Sequence, residues 1–231
     1  MKTIGQLAIE EPKAIAVLEK LGIDYCCHGG RSVDETCSEA GISVEELLQA
    51  IGGAAGEASA RDWSRASLRE LQAYIVKTHH VFTRNMLATL TQLSAKVAAR
   101  HGEHHPNVLR VQALVGQLAN DLLPHMMKEE QVLFPYIEAL EAGEEYASCF
   151  GSVRNPIRMM MMEHDAAADL LVELRKATSD YSLPGDACIS FRALYERLHD
   201  LEQDLHRHIH LENNVLFPRA IALEASLSQA S

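Results

Sequence analysis

Two stretches of the chain, HMMKEEQVLFP from His125 and HIHLENNVLFP from His208, share the frame H-x-x-x-E-x-x-V-L-F-P with histidine and glutamate in register. On a helix, a residue and its i+4 neighbour lie on one face, one turn apart. His125 with Glu129 and His208 with Glu212 therefore each present an imidazole and a carboxylate together. A single pair of this kind is a common feature of helix surfaces. Two copies with the same tail are not, and single histidines precede each at a similar offset: His79 in IVKTHHVF and His164 in MMEHDAAA. The pattern is that of a helix pair duplicated, one helix with a lone histidine followed by one with H-x-x-x-E. Folded as an antiparallel bundle, it brings four histidines and two glutamates to a common centre. A carboxylate has two oxygens and can bridge, whereas an imidazole can only terminate, so this donor set suits two metal ions better than one.

The identity of the metal follows from the donors. No thiolate pair falls in the bundle, which disfavours zinc, and histidines with bridging carboxylates suit iron or manganese. Iron is the assignment. Ferritin-like carboxylate proteins use Glu-x-x-His and more carboxylates than histidines; order and balance are the reverse here.

The elements that must position these residues are helical. Helix formers dominate, aromatic residues make up only 5%, and no sustained period-2 alternation marks a strand. The fold class predicted is all-α. Ser67-x-x-Glu70 opens a long helix with apolar residues mostly three or four apart, ending near His101-Gly102. Pro106 can start a second running towards Leu140, Pro156 a third towards Ala177 and Pro184 a fourth towards Leu223. Four long helices with short links make a bundle. Pro124, Pro135 and Pro218 fall inside these spans, where kinks or early ends are expected. Before the bundle, IGGAAGEASARD from Ile51 to Asp62 lacks apolar periodicity and reads as a connector. The predicted organisation is a small helical domain over 1–55, a linker over 56–66 and the bundle over 67–231. In the small domain Ser32-x-x-Glu35 and Ser43-x-x-Glu46 are capping boxes, and Leu18, Leu21, Leu47, Leu48 and Ile51 are the candidate core.

With 231 residues the chain is long enough for a substantial core. Its 21 Lys and Arg against 32 Asp and Glu give a formal net charge of −11, which repels phosphate backbones and anionic lipid surfaces. Neither nucleic acid nor a membrane is an expected partner. No apolar run is long enough for a signal peptide or a membrane span, and the odd number of cysteines, five, suits a reducing compartment. The expectation is a soluble cytoplasmic protein.

Adjacent Cys26 and Cys27 stand in DYCCHGG, where Gly29 and Gly30 oppose a helix. Their Cα atoms, about 3.8 Å apart across a trans peptide, make a disulfide between them strained and easily reduced. Paired thiols in such a loop could take iron, carry a nitrosyl group or exchange electrons with a metal site; they could also be small core residues. Cys37, Cys149 and Cys188 have no patterned partner and are assigned no role. His101, His104 and His105 occupy a turn read first as solvated, with transient iron entry as the alternative. His80 and His210 are out of phase with the ligands and are read as supporting or surface residues.

The bundle resembles hemerythrin-like domains. HMMKEEQVLFP and HLENNVLFP, together with LEKLGIDYCCHGG near the N-terminus, resemble the repair-of-iron-centres family, bacterial di-iron proteins implicated in restoring iron–sulfur clusters after nitrosative or oxidative damage. The likeness covers nearly the whole chain. It implies that His79, His125, His164 and His208 are terminal ligands and that Glu129 and Glu212 bridge two irons beside an oxo or hydroxo group. It also implies that Cys26 and Cys27 carry function. Oxygen-carrying hemerythrins are similar in fold but use a larger histidine complement and a mixed Asp/Glu bridge. His28 departs from the family pattern, in which Gly-Gly follows the cysteines directly. The function implied is repair of damaged iron–sulfur proteins by iron donation, nitric oxide removal or both. A nitric oxide or oxygen scavenger or sensor is the alternative, and an enzymatic nitric oxide reductase is left open. The small module also allows a homodimer.

Overall fold

The computed structural model describes residues 2–54, 63–144 and 150–230. Most of the expected linker, and Cys149, lie outside the described residues. Among those described there is no strand beyond a single bridge between Thr3 and Ser32, and no helix is long and apolar enough to cross a membrane. The fold is all-α, as the helix-forming composition predicts. The chain divides into two compact units, one of 1–73, 137–153 and 206–231, the other of 74–136 and 154–205.

The first unit opens with four short helices, α1 (Ile4–Glu10), α2 (Lys13–Leu21), α3 (Val33–Ala40) and α4 (Val44–Gly53). Both predicted capping boxes form: Ser32 and Ser43 accept from the backbone N–H of Glu35 and Glu46, whose carboxylates accept from the cap residues in return. Thr3 and Gln6 make a third box at the start of α1. Helices α2 and α3 stop at Gly22 and Gly41, both left-handed with φ of 66° and 70°, a conformation that favours glycine. Ile4, Leu18, Leu47 and Ile51 build the core. Leu21 and Leu48 do not join it, being 40% and 51% exposed. Leu21 is the last residue of its helix and Leu48 directly follows the better-placed Leu47, so the buried stripe passes them by.

Four long helices follow, and the second unit is built from their parts within 74–136 and 154–205. Helix α5 runs as Leu68–Ile75, a π-helical turn Val76–His80 and Val81–His101; α6 runs as Asn107–Lys128, a π turn Glu129–Leu133 and Phe134–Ala142. Helix α7 is unbroken over Arg154–Thr178, and α8 runs as Ile189–His210, a π turn Leu211–Leu216 and Phe217–Ala230. The first three boundaries lie close to those read from the proline and capping signals, whereas the fourth helix starts at Ile189 instead of Pro184 and continues past Leu223 to Ala230. Leu90, Val111, Leu118, Leu171, Leu198 and Leu205 belong to one continuous core between the helices of this unit.

None of Pro124, Pro135 and Pro218 ends its helix early. A proline inside a helix lacks the N–H and crowds the carbonyl four residues back. For Pro135 and Pro218 those carbonyls belong to Gln131 and Asn214, and both residues sit within π turns. The wider winding takes up the crowding, so the helices continue beyond the prolines instead of ending. The shared V-L-F-P tail thus places a π turn beside each H-x-x-x-E pair. Helix α7 has no internal proline after its start and no π turn.

Truncating a side chain of the bundle core leaves a cavity. Leu118→Ala, at a position with no accessible surface, is expected to lower stability by about 2–5 kcal/mol in urea unfolding. Leu48→Ala is expected to stay within about 0.5 kcal/mol, since half of that side chain is already in water.

Candidate metal centre

In the bundle unit, His125, Glu129 and His164 each offer a donor atom, all within 4.8 Å of one another. The Nε2 atoms of His125 and His164 face each other at 3.0 Å. Glu129 has no accessible surface, and neither carboxylate oxygen has a hydrogen-bond partner among the described residues. Nε2 of His80 and of His125 are each 3.4 Å from Oε2. A buried carboxylate without donors costs several kcal/mol unless a cation compensates it. The donor set therefore fits a metal ion, which would give Glu129 the positive charge its surroundings withhold.

The orientation of the imidazoles supports the same fit. His79 donates through Nδ1 to Asp204 Oδ1 (2.9 Å), His80 through Nδ1 to Glu130 Oε1 (2.6 Å) and His125 through Nδ1 to Glu163 Oε2 (2.8 Å). A carboxylate can only accept, so in each neutral ring the lone pair is left on Nε2, the tautomer a metal needs. The outer carboxylates are themselves held ionised. Burial alone would raise the carboxyls of Glu130 and Glu163, but His80 with Arg84, and Lys128 with His125, outweigh it and bring both below the usual range.

His80, read from sequence as a supporting or surface residue, is not at the surface. It is fully buried, its Nε2 is turned to Glu129, and its ring stacks on Phe134 at 5.9 Å. Successive residues of an α-helix point about 100° apart, so in unbroken α7 His164 is buried while Asp165 is exposed. The π turn that ends at His80 lets both His79 and His80 face inward. The only trace of this in the sequence is the His-His doublet where the matching helix has His-Asp.

In the other unit, His208 Nε2 lies 3.0 Å from Glu212 Oε1, and both side chains are buried. The same unit holds the thiols. Asp24 Oδ1 accepts from the backbone N–H of Cys26 (2.9 Å) and Cys27 (3.0 Å), and Oδ2 accepts from His28 Nδ1 (2.6 Å). Burial works against the charge on Asp24, but His28 and these backbone donors hold its carboxyl below the usual range. The sulfurs of Cys26 and Cys27 are 3.8 Å apart and not joined. Asp24, Cys26 and Cys27 offer donors within 4.8 Å of one another.

This loop is docked on the π turn that carries Glu212. Asn214 Nδ2 donates to the carbonyls of Tyr25 (3.2 Å) and Cys26 (3.1 Å), and Asn213 Nδ2 to that of Cys26 (3.4 Å). A Cβ on Gly29 would stand 2.3 Å from Asn214 Oδ1 and one on Gly5 2.5 Å from it, so the close approach requires glycine at both positions. His210, read from sequence as a supporting or surface residue, is buried edge-on against Tyr25 at 5.3 Å.

Replacing the uncompensated carboxylate by an apolar side chain, Glu129→Leu, is expected to raise the melting temperature of the metal-free chain by about 2–10 °C and to abolish the rise on adding ferrous iron; calorimetry with and without the metal reads both. The Cys26 thiol is pushed above the ordinary range by its hydrogen bond to Cys27, by burial and by the Asp24 charge. Only the thiolate attacks, so at pH 8 iodoacetamide is expected to modify Cys27 faster than Cys26 in peptide mass spectra. Asn214→Ala, by loosening the loop, should raise the Cys26 rate several-fold.

Residues 71–220 match the model of the hemerythrin HHE cation binding domain, and residues 1–55 match that of a domain of unknown function, DUF542. Three proteins with the name iron-sulfur cluster repair protein YtfE, from Escherichia coli O157:H7, Shigella boydii serotype 4 and Citrobacter koseri, are each 33% identical over 221 residues, 96% of this chain and 97% of theirs. With its buried histidine and glutamate donors on bundle helices and its thiol loop in the N-terminal region, the chain belongs to the hemerythrin HHE cation-binding family and to the full-length family of these iron–sulfur cluster repair proteins.

Proposed function

We propose that the chain is a cytoplasmic di-iron protein that helps to repair iron–sulfur clusters damaged by nitrosative or oxidative stress, by donating iron, removing nitric oxide or both. The observation that carries this reading is the docking of the Cys26–Cys27 loop on the turn bearing Glu212 through Asn213 and Asn214. Paired thiols fixed beside a metal-ligand turn are placed to govern transfer. The relatives' name supplies the substrate class, a damaged iron–sulfur protein.

The ligands proposed are His79, His125, His164 and His208, with Glu129 and Glu212 as bridges, and His80 as a further imidazole toward Glu129. The sequence repeat supports the set as a whole. The Nδ1 contacts of His79, His80 and His125 support the individual rings. When bound, iron supplies redox chemistry and affinity for small ligands such as nitric oxide and oxygen. The protein's own part is to hold the imidazoles in the ligating tautomer, to keep two carboxylates out of water, and to keep Cys26 protonated until its surroundings change. The proposed organisation is a thiol-bearing module over 1–55, a linker over 56–66 and the bundle over 67–231.

The test is reactivation of a hydratase whose iron–sulfur cluster has been damaged by nitric oxide, without oxygen, using the iron-loaded chain. The unmodified chain is expected to restore activity, and Cys26→Ser/Cys27→Ser to restore it at least tenfold more slowly. Equal reactivation by the double variant would remove the thiols from the mechanism. Consumption of nitric oxide without reactivation would establish the scavenger or sensor in place of repair.

A further inference from the structure

The loop between α2 and α3 gathers three donors that the proposed iron centre does not use, all within the first unit. Asp24 caps this loop. Its Oδ1 accepts from the backbone N–H of Cys26 and of Cys27, at 2.9 and 3.0 Å, which folds the chain back so that the thiols lie beside the carboxylate. The Cys26 thiol donates to the same oxygen at 3.3 Å, and the two sulfurs stand 3.8 Å apart. One donor atom from each of the three residues lies within 4.8 Å of the other two. At the other carboxylate oxygen, His28 Nδ1 meets Oδ2 at 2.6 Å, the kind of outer hydrogen bond that keeps a ligating carboxylate in orientation. Asn214 holds the carbonyls of Tyr25 and Cys26, so the loop has a fixed support. Cys26 is buried, Cys27 half-buried and Asp24 exposed, and the cluster opens to solvent on the side of Asp24 and Cys27.

We propose that Asp24, Cys26 and Cys27 form a site for one thiophilic divalent cation, iron(II) or zinc(II), separate from the histidine–glutamate centre. The distances are close to those such an ion sets. With bonds of about 2.3 Å to sulfur and about 2.1 Å to oxygen, two thiolates on a tetrahedral ion stand about 3.8 Å apart, and a thiolate and a carboxylate oxygen about 3.6 Å apart. The loop shows 3.8 and 3.3 Å. Two sulfur donors exclude magnesium and calcium as natural occupants. The ion takes the place of the Cys26 proton. The thiol that donates to Oδ1 becomes a thiolate, Cys27 loses its proton as well, both protons pass to solvent, and no oxidant or reductant is needed. Oδ1 keeps its two backbone donors and gives the ion the direction that the thiol occupies. Three protein ligands leave a fourth tetrahedral position for water or for a ligand from a client protein, and that opening distinguishes an exchangeable ion from a structural one. The site stands on the thiol loop alone; only its use in passing iron to a damaged cluster rests on the repair reading. The thiols stand out in the sequence, whereas the carboxylate that completes the set is identified by the hydrogen bonds of the loop.

Cobalt(II) is the probe, because a thiolate bound to it gives a near-ultraviolet charge-transfer band that histidine and glutamate ligands cannot produce. The reduced, metal-free chain is titrated without oxygen at pH 7, and the spectrum of the Cys26→Ser/Cys27→Ser variant, which keeps the other cysteines, is subtracted. The difference band is expected to saturate at one thiolate-bound cobalt per chain, with about two more protons released than from the double variant. Cys26→Ser and Cys27→Ser singly, and Asp24→Asn, which keeps an oxygen for the backbone cap, are each expected to need at least tenfold more cobalt while their helical circular dichroism stays unchanged. Glu129→Ala is expected to leave the band as it is, so failure of the di-iron reading does not remove it. Ferrous iron and zinc(II), added in turn to the cobalt form, identify the ion: displacement by micromolar ferrous iron assigns iron, and displacement by zinc alone assigns zinc. A band of equal strength in the double variant, no band at all, or unchanged cobalt affinity in Asp24→Asn would overturn the proposal and leave the loop as a hydrogen-bonded cap. Iron retained in the bundle alongside such a result would confine the failure to this site.

Discussion

A carboxylate with no accessible surface and no hydrogen-bond donor among the described residues is buried in the bundle unit. Glu129 is in that position, with Nε2 of His80 and of His125 each 3.4 Å from one of its oxygens. Desolvation of an ion costs several kcal/mol even after relaxation, comparable to a large part of the net stability of a domain. A fold keeps such a group only where something else offsets the cost on binding. The surrounding features follow from it: the imidazoles that present Nε2, the outer carboxylates that fix their tautomers, and the apolar core that holds the helices rigid. Loss of the metal would leave a strained electrostatic hole, so metal loading and folding stability are linked.

The backbone takes part in the same solution. Three of the four long helices carry a π turn that holds or adjoins proposed ligands, and each turn has a visible consequence. In α5 it brings a second imidazole inward; in α6 and α8 it accommodates the proline that closes the repeated tail. The turn in α8 also carries Asn213 and Asn214, which bind the carbonyls of the thiol loop. The proposed ligand Glu212 and the residues that hold the thiol loop thus sit side by side on one turn.

Much of this was legible in the sequence because it depends on local periodicity. The helix spans follow from proline and capping signals, the two H-x-x-x-E pairs from i,i+4 geometry, and the two serine capping boxes from their own spacing. What escaped depends on departures from ideal winding or on distant contacts. Burial of His80 requires a π turn, which leaves no compositional mark. Leu21 and Leu48 looked like core because hydrophobicity alone does not say which side of a short helix faces inward. The role of Gly29 in meeting Asn214, and the pairing of His101 with Cys188, join residues far apart in the chain and could not be read from either neighbourhood.

The central claim is that the buried histidines and glutamates exist to hold iron. It is tested most directly by loading the metal-free chain with ferrous iron in the absence of oxygen, removing unbound metal and counting iron per chain. Two tightly held iron ions per chain are predicted. A chain that retains none, while remaining folded and helical, would contradict the account.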